Sequence, residues 1–336
     1  MPDSTKPQKP KLLVYIPCHK DYEMAFVNAR KLGNQALRLM GDSLELQILI
    51  SINGVEDFRD PGELLFTKIS HIQTVLGADA NIAKGFVSAL EIQPDYLLIL
   101  SANENLVEDA FKNISQIIKE QPETDLFIAN AAGRNRRLKI DNVFLDLPPF
   151  LALGLISGVI YNFKTTKNSF VQATIFSWTG WAHLAVIQDY LSTNPLARCH
   201  ELPDSFIYET PYTFTPHAIK GENEREIVKN LYSHSFFGLP VLAFSFWQNN
   251  PSSLRRFQTE WLKVNWYKIS FFSKNATIGD EVKLQRSRWI RAISKQTFKY
   301  FLHLRFFYFL SSKFPSERLQ SNHNAAKLLR IYKRFL

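Results

Sequence analysis

One carboxylate stands at the tip of an apolar run. Residues 96–105 read YLLILSANEN, five β-favouring positions that end in a short polar cluster holding Glu104. Such a run needs helices on both of its faces, and open α/β sheets bind ligands beyond the carboxyl ends of their strands. Glu104 is therefore a candidate site residue, although a carboxylate in the first turn of a following helix, favoured by the helix dipole, gives the same pattern. Arg134, Arg136 and Arg137 open the segment GRNRRLKIDNVFLDL. Arginine forks match phosphate oxygens, so this loop either pairs with a phosphate-bearing ligand or is an ordinary solvated loop. Gln172, Trp178, Trp181 and His183 are of the types that stack on sugars and hydrogen-bond to them. Ala182, Ala185, Val186 and Ile187 around them also spell a core helix, in which Trp181 supplies buried area.

The elements that must position these groups alternate. Residues 12–16 (LLVYI) form an apolar strand that stops at Pro17, and PCHKDYE leads into a helix through residues 25–40. Residues 46–52 (LQILISI) form a second strand, closed by the turn pair Asn53-Gly54 and followed by Glu56 and Asp57. In GADANIAKGFVSALE, Ala83, Phe86, Val87 and Leu90 recur at helical spacing, with polar residues at the start, where Asn81 is placed to cap the helix. The YLLIL strand comes next, then a helix over residues 107–120 and a strand over 125–132. Strands alternating with helices predict an α/β fold with a mostly parallel sheet flanked by helices.

Composition bounds the rest. The chain has 336 residues, 46% of them hydrophobic, enough for one large domain with or without an appendage. The first ten residues are Pro- and Lys-rich without apolar periodicity, which predicts a disordered tail, and they lack the apolar core of a signal peptide, which predicts a cytoplasmic chain. Cys18 and Cys199 stand far apart, without disulfide or zinc spacing. The net charge of +9 is uneven: from Leu239 onward 18 Lys and Arg face 4 Asp and Glu, a net of +14, leaving −5 for the remainder. No apolar window reaches the roughly 18 residues that a membrane-spanning helix needs.

The order LLVYIPCHKD, ILISINGVED, GADANIAKGFVSAL and DYLLILSANENLVEDAF resembles the nucleotide-binding half of bacterial family 2 glycosyltransferases of the GT-A fold, over roughly the first 120 residues. LGLISGVIYN resembles the segment that follows the sheet core in polysaccharide-assembling members, including the abequosyltransferase-like branch. The resemblance implies transfer of a sugar from a nucleotide-sugar donor to a polysaccharide or lipid-linked acceptor, with a GT-A domain over residues 11–235. It places Pro17, Cys18, His19, Asn53 and Asp57 around the nucleotide, Asn81 near base or ribose, and the metal motif at residues 102–104, with Ser101 and Asn103 among the cofactor-binding residues. Glu104 falls at the position that would hold Mg²⁺ or Mn²⁺. Two departures stand out: Ile52 replaces the usual Asp before Asn-Gly, and Ala102 and Asn103 replace expected acids, so Glu104 alone is left for a cation. On residue type alone, Asn53-Gly54 also fits a plain tight turn and His19 a surface loop histidine.

An inverting transfer needs a carboxylate to take the acceptor's proton. Asp189, Glu201, Asp204 and Glu209 are the candidates, and CHELPDSFIYETPY favours Asp204 with Glu201. Residues 236–336 interleave Phe, Trp and Tyr with Lys and Arg at helical spacing, which predicts basic amphipathic helices lying on an anionic membrane surface, although a plain helical appendage packed on the rest of the chain gives the same pattern. Nucleic acid is the lesser alternative, since bulky apolar clusters outnumber the small polar residues of phosphate-binding faces. These features predict a protein on the inner face of the cell membrane, peripheral to it.

Overall fold

The computed structural model describes residues 9–18, 22–39, 44–55, 58–59, 61–74, 76–102, 104–129, 135–136, 156–177, 179–203, 206–208, 242–243 and 245–246. By its internal contacts the chain divides into Met1–Thr215 and Pro216–Leu336. The first ten residues, apart from Lys9 and Pro10, and the expected basic helices of the C-terminal region lie outside the described residues. Only four described residues, between 242 and 246, belong to the second unit.

In the first unit the elements are β1 (Lys11–Cys18), α1 (Glu23–Arg38), β2 (Glu45–Asn53), β3 (Thr67–Ile72), α2 (Ala78–Ile92), β4 (Tyr96–Ile99), α3 (Ala110–Glu120) and β5 (Leu126–Ile128). They continue with β6 (Asn135–Arg136), β7 (Val159–Asn162), α4 (Phe163–Thr166), α5 (Val171–Ile175), α6 (Ala182–Thr193) and β8 (Cys199–Glu201). The sheet order is β3-β2-β1-β4-β7-β5-β8-β6. Pairings fix six strands in one direction, with β6 and β7 reversed. This is the expected α/β architecture, with antiparallel β7 inserted between β4 and β5.

The strand period of two sorts the core into layers. Leu12, Val14, Ile16, Ile48, Ile50, Ile52, Leu98 and Leu100 face one way and form a single cluster with Ala25, Ala29 and Leu32 of α1 and with Phe111 and Ile114 of α3. The intervening residues face α2. There Phe86 meets Tyr161 and Phe170 edge-on, with ring centroids 5.3 and 5.0 Å away. Both faces of the central strands are covered, which explains why they read as unbroken apolar runs.

Two local expectations are corrected, and one strand is new. β1 continues through Pro17, paired in register with Ser51, to Cys18. The Leu100 N–H donates to the Tyr15 carbonyl at 2.8 Å, so Tyr15 turns its polar groups toward β4, and so by alternation does Pro17. β4 has ended by then, and the missing proline N–H costs no ladder bond. β3 has no counterpart in the sequence reading; it is a partly exposed edge strand carrying Lys68, Ser70 and His71, without the apolar run that marks a buried one. The strand expected over residues 125–132 is only Leu126–Ile128.

Candidate active site at the carboxyl edge of the sheet

Because six strands share a direction, the ends of β1, β2, β4, β5 and β8 lie along one edge. The reversed β7 starts there, so the 3-10 turn Ile156–Gly158 that precedes it belongs to the same edge. Cys18, Asn53, Ser101, Glu104, Ser157 and Glu201 are thereby placed on the same edge from segments far apart in sequence, with Ser101, Glu104 and Ser157 in direct contact.

The β1–β2 end is tied by amides. Asn53 Nδ2 donates to the Cys18 carbonyl at 2.8 Å, and Asn53 Oδ1 accepts the Leu76 N–H at 3.0 Å. Asn81 Nδ2 reaches the carbonyls of Cys18 and Ser51, both at 3.2 Å, while its Oδ1 accepts from the Tyr15 hydroxyl at 2.9 Å. Asn81 is therefore no helix cap: it lies a turn inside α2, fully buried, and locks that helix to the strand ends. Both asparagines shape the expected nucleotide platform through backbone they hold in place. The Cys18 thiol is buried, and that burial pushes its pKa up to about 12, so it is no thiolate nucleophile at neutral pH. Lys84, which the sequence reading passes over, donates to Ser51 Oγ at 3.2 Å and Ser70 Oγ at 2.9 Å.

Glu104 is fixed from several sides. Its N–H donates to the Ser101 carbonyl at 3.2 Å, and its carbonyl accepts from Asn28 Nδ2 at 2.8 Å. Asn28 belongs to a polar stripe on α1: Lys31 donates to the Leu106 carbonyl and Gln35 to that of Glu108, while the Phe111 N–H returns to Gln35 Oε1 at 2.8 Å. At spacings of three and four residues these side chains face one way, so α1 grips the whole loop after β4. One carboxylate oxygen, Oε1, accepts from the Ser157 hydroxyl at 3.3 Å. Burial raises the Glu104 pKa above its ordinary value, and the Ser157 bond works in the opposite direction.

Among the remaining expected residues, Glu201 is 4% exposed at the end of β8, in register with Ile128. Asp189 is engaged elsewhere, accepting from Gln172 Nε2 at 3.1 Å between α5 and α6. His183 is buried in α6, as the core-helix reading has it, and Trp181 precedes that helix, partly buried. His19, Asp57, Asn103, Asp204, Arg134, Arg137, Trp178 and Glu209 lie outside the described residues. No group of three or more His, Cys, Asp or Glu that could hold a metal occurs among the described residues. Neither is any described helix long and apolar enough to cross a membrane.

Asp79 is a residue the sequence reading did not single out. It sits buried in the first turn of α2, where the backbone N–H groups of Gly180, Trp181 and Ala182 bear on its carboxyl group and Oδ2 has no hydrogen-bond partner among the described residues. Burial outweighs these donors and lifts its pKa from the usual 3.8 to about 7. The folded chain therefore holds this proton to higher pH than the unfolded chain. The associated stability is greatest below the unfolded pKa and is lost as pH rises through about 7. Asp79→Asn keeps an acceptor oxygen without the charge. Its melting temperature relative to wild type should climb from about pH 5 to about pH 8, and parallel curves for the two proteins would contradict this assignment.

No protein-family model matches the chain, and no curated protein matches it. Solved structures that resemble it include TarS from S. aureus, at 13% identity and a TM-score of 0.39, over 70% of this chain and 44% of that one. TarS 1-349 in complex with UDP-GlcNAc matches at 11% identity and a TM-score of 0.40, over 78% of this chain and 83% of that one. Mannosyl-3-phosphoglycerate synthase from Rubrobacter xylanophilus matches at 12% and 0.41, over 71% of this chain and 75% of that one. The chain thus spans less than half of the first TarS structure. At this degree of likeness none of the three decides what this chain does.

Proposed function

We propose that this chain is a GT-A-type glycosyltransferase that moves a sugar from a nucleotide-sugar donor to a polysaccharide or lipid-linked acceptor, with inversion at the anomeric carbon. The observation that carries the reading is Glu104, held by its backbone and by one carboxylate oxygen at the edge where the parallel strands end. A nucleotide lies over the ends of β1 and β2, on the platform that Asn53 and Asn81 brace. The transferred sugar lies beside Glu104, on the side of the carboxylate away from Ser157. The acceptor oxygen attacks the anomeric carbon, the bond to the diphosphate breaks, and the nucleoside diphosphate leaves. The acceptor's proton passes to a carboxylate, for which Glu201 at the end of β8 and Asp204 beyond it are the candidates.

The donor set fits a cation shared with the substrate. One carboxylate with one oxygen already hydrogen-bonded makes no all-protein cage, but Mg²⁺ is commonly held by one or two carboxylates plus substrate phosphates. Bound through Glu104, Mg²⁺ or Mn²⁺ would offset charge on the departing diphosphate. The chain's own part is to fix the carboxylate. The net charge of +14 from Leu239 onward supports a further element of the proposal, a peripheral position on anionic membrane at the cytoplasmic face.

The test is release of nucleoside diphosphate from UDP-glucose, UDP-N-acetylglucosamine, GDP-mannose and dTDP-rhamnose, with and without Mn²⁺. Turnover of at least one donor, reduced about 100-fold or more in Glu201→Gln when acceptor is present, is the expected result. Glu201→Gln at the wild-type rate removes Glu201 as the base and leaves Asp204. A second reading, a binder of sugar nucleotides without turnover, draws on the single carboxylate at Glu104. Nucleotide binding with only background release from every donor would select it.

A further inference from the structure

Ser157 lies 2% exposed in the 3-10 turn before β7, 53 residues from Glu104 in sequence. Its hydroxyl has one proton to give. The Ser101 N–H donates to Ser157 Oγ at 2.8 Å, which occupies the oxygen as an acceptor and leaves the proton to point at Glu104 Oε1, 3.3 Å away. That distance is long for an O–H···O contact, so the bond orients the carboxylate without quenching its charge. The serine is itself clamped, since the Tyr208 hydroxyl donates to its carbonyl and the Ala129 N–H donates to the next carbonyl, that of Gly158, at 2.8 Å. Tyr208 pairs with Leu106 in an isolated bridge, and the Val107 N–H donates to Ile207 at 2.9 Å. The loop after β4, the turn before β7 and the segment after β8 thus meet on one serine.

We infer that Ser157 is a positioning residue for Glu104: it holds Oε1 so that the second carboxylate oxygen is presented to the donor, and Tyr208 couples this setting to the segment that follows Glu201. The inference rests on the glycosyl-transfer reading of Glu104. A serine that merely satisfied the Ser101 N–H would have no energetic coupling to the Glu104 carboxylate, which gives a clean distinction.

The experiment measures kcat and KM on the best-used donor of the four for Ser157→Ala, Ser157→Thr, Glu104→Gln and the Ser157→Ala/Glu104→Gln double variant, with a melting curve for each. Ser157→Ala is expected to lower kcat about 10-fold or more with KM nearly unchanged, as loss of an outer partner does at a ligating side chain. Ser157→Thr, which keeps the hydroxyl, should recover most of that loss, and the double variant should be no slower than Glu104→Gln alone. Losses that add in the double variant, or a Ser157→Ala protein that turns over at the wild-type rate, overturn the inference while the function stands. Glu104→Gln at the wild-type rate overturns both, as does a wild-type chain that uses none of the donors. Should Ser157→Ala fail to fold, Ser157→Cys replaces it, the thiol being a weak donor; equal rates for the Cys and Thr variants would overturn the inference.

Discussion

Glu104→Ala is expected to cut donor turnover about 100-fold or more, the scale at which removing one electrostatic group from a preorganised site acts. Three features make the effect large. Glu104 is the only carboxylate in the SANEN cluster, it lies at the edge where the parallel strands end, and its backbone is held by Ser101 and Asn28. The alanine variant should also lose most of any stimulation by Mn²⁺. The fold should persist, since the bonds that fix the loop at residue 104 use backbone atoms and survive truncation; an unchanged melting temperature is the control. A variant that keeps wild-type turnover at every Mn²⁺ concentration would remove Glu104 from the mechanism.

Among Gly33, Gly62, Gly77 and Gly85, replacement of Gly85 by alanine should give the largest loss of stability through crowding. A Cβ built there would lie 2.6 Å from Cδ1 and 2.9 Å from Cγ of Tyr15. Alanine is intrinsically about 1 kcal/mol better than glycine inside a helix, so the sign depends on whether the ring can yield. It cannot yield easily: Tyr15 is fully buried in β1, and its hydroxyl is bonded to Asn81 one turn earlier on the same helix. Overpacking of this kind costs about 1–3 kcal/mol, or roughly 2–10 °C in melting temperature for a domain of this size. Moving α2 away would also pull Asn81 from the carbonyls of Cys18 and Ser51, so nucleotide binding should weaken along with stability. A neutral or stabilised Gly85→Ala protein would show that α2 has room to shift. Tyr15→Leu in the same chain should remove much of the clash.

What was legible in the sequence was set by burial. Residues 12–16, 46–52 and 96–100 announce strands because helices cover both of their faces, and the rule that ligands sit beyond strand ends then marks Glu104. Edge strand β3 gave no such signal, because half-exposed positions such as Lys68 and His71 are free to be polar. Asn81 was visible as a polar residue near a helix start, yet its bonds to two strands depend on how closely α2 approaches β1, which Gly85 permits. The roles of Asp79 and Lys84 depend on neighbours from α6 and β3 that no local pattern indicates.

The sequence by itself determined the α/β class, the central strands and the acidic tip at Glu104, since these follow from apolar periodicity and local turn chemistry. Only the tertiary structure decided that β7 enters antiparallel beside β4, that Asn28 on α1 holds the Glu104 carbonyl, and that Ser157 and Tyr208 stand behind the carboxylate. These hydrogen-bonded pairs lie 51 to 76 residues apart along the chain. A hydrogen bond across such a separation is fixed by the path of the chain through three layers, and the residue types at its two ends are common ones that carry no mark of their pairing.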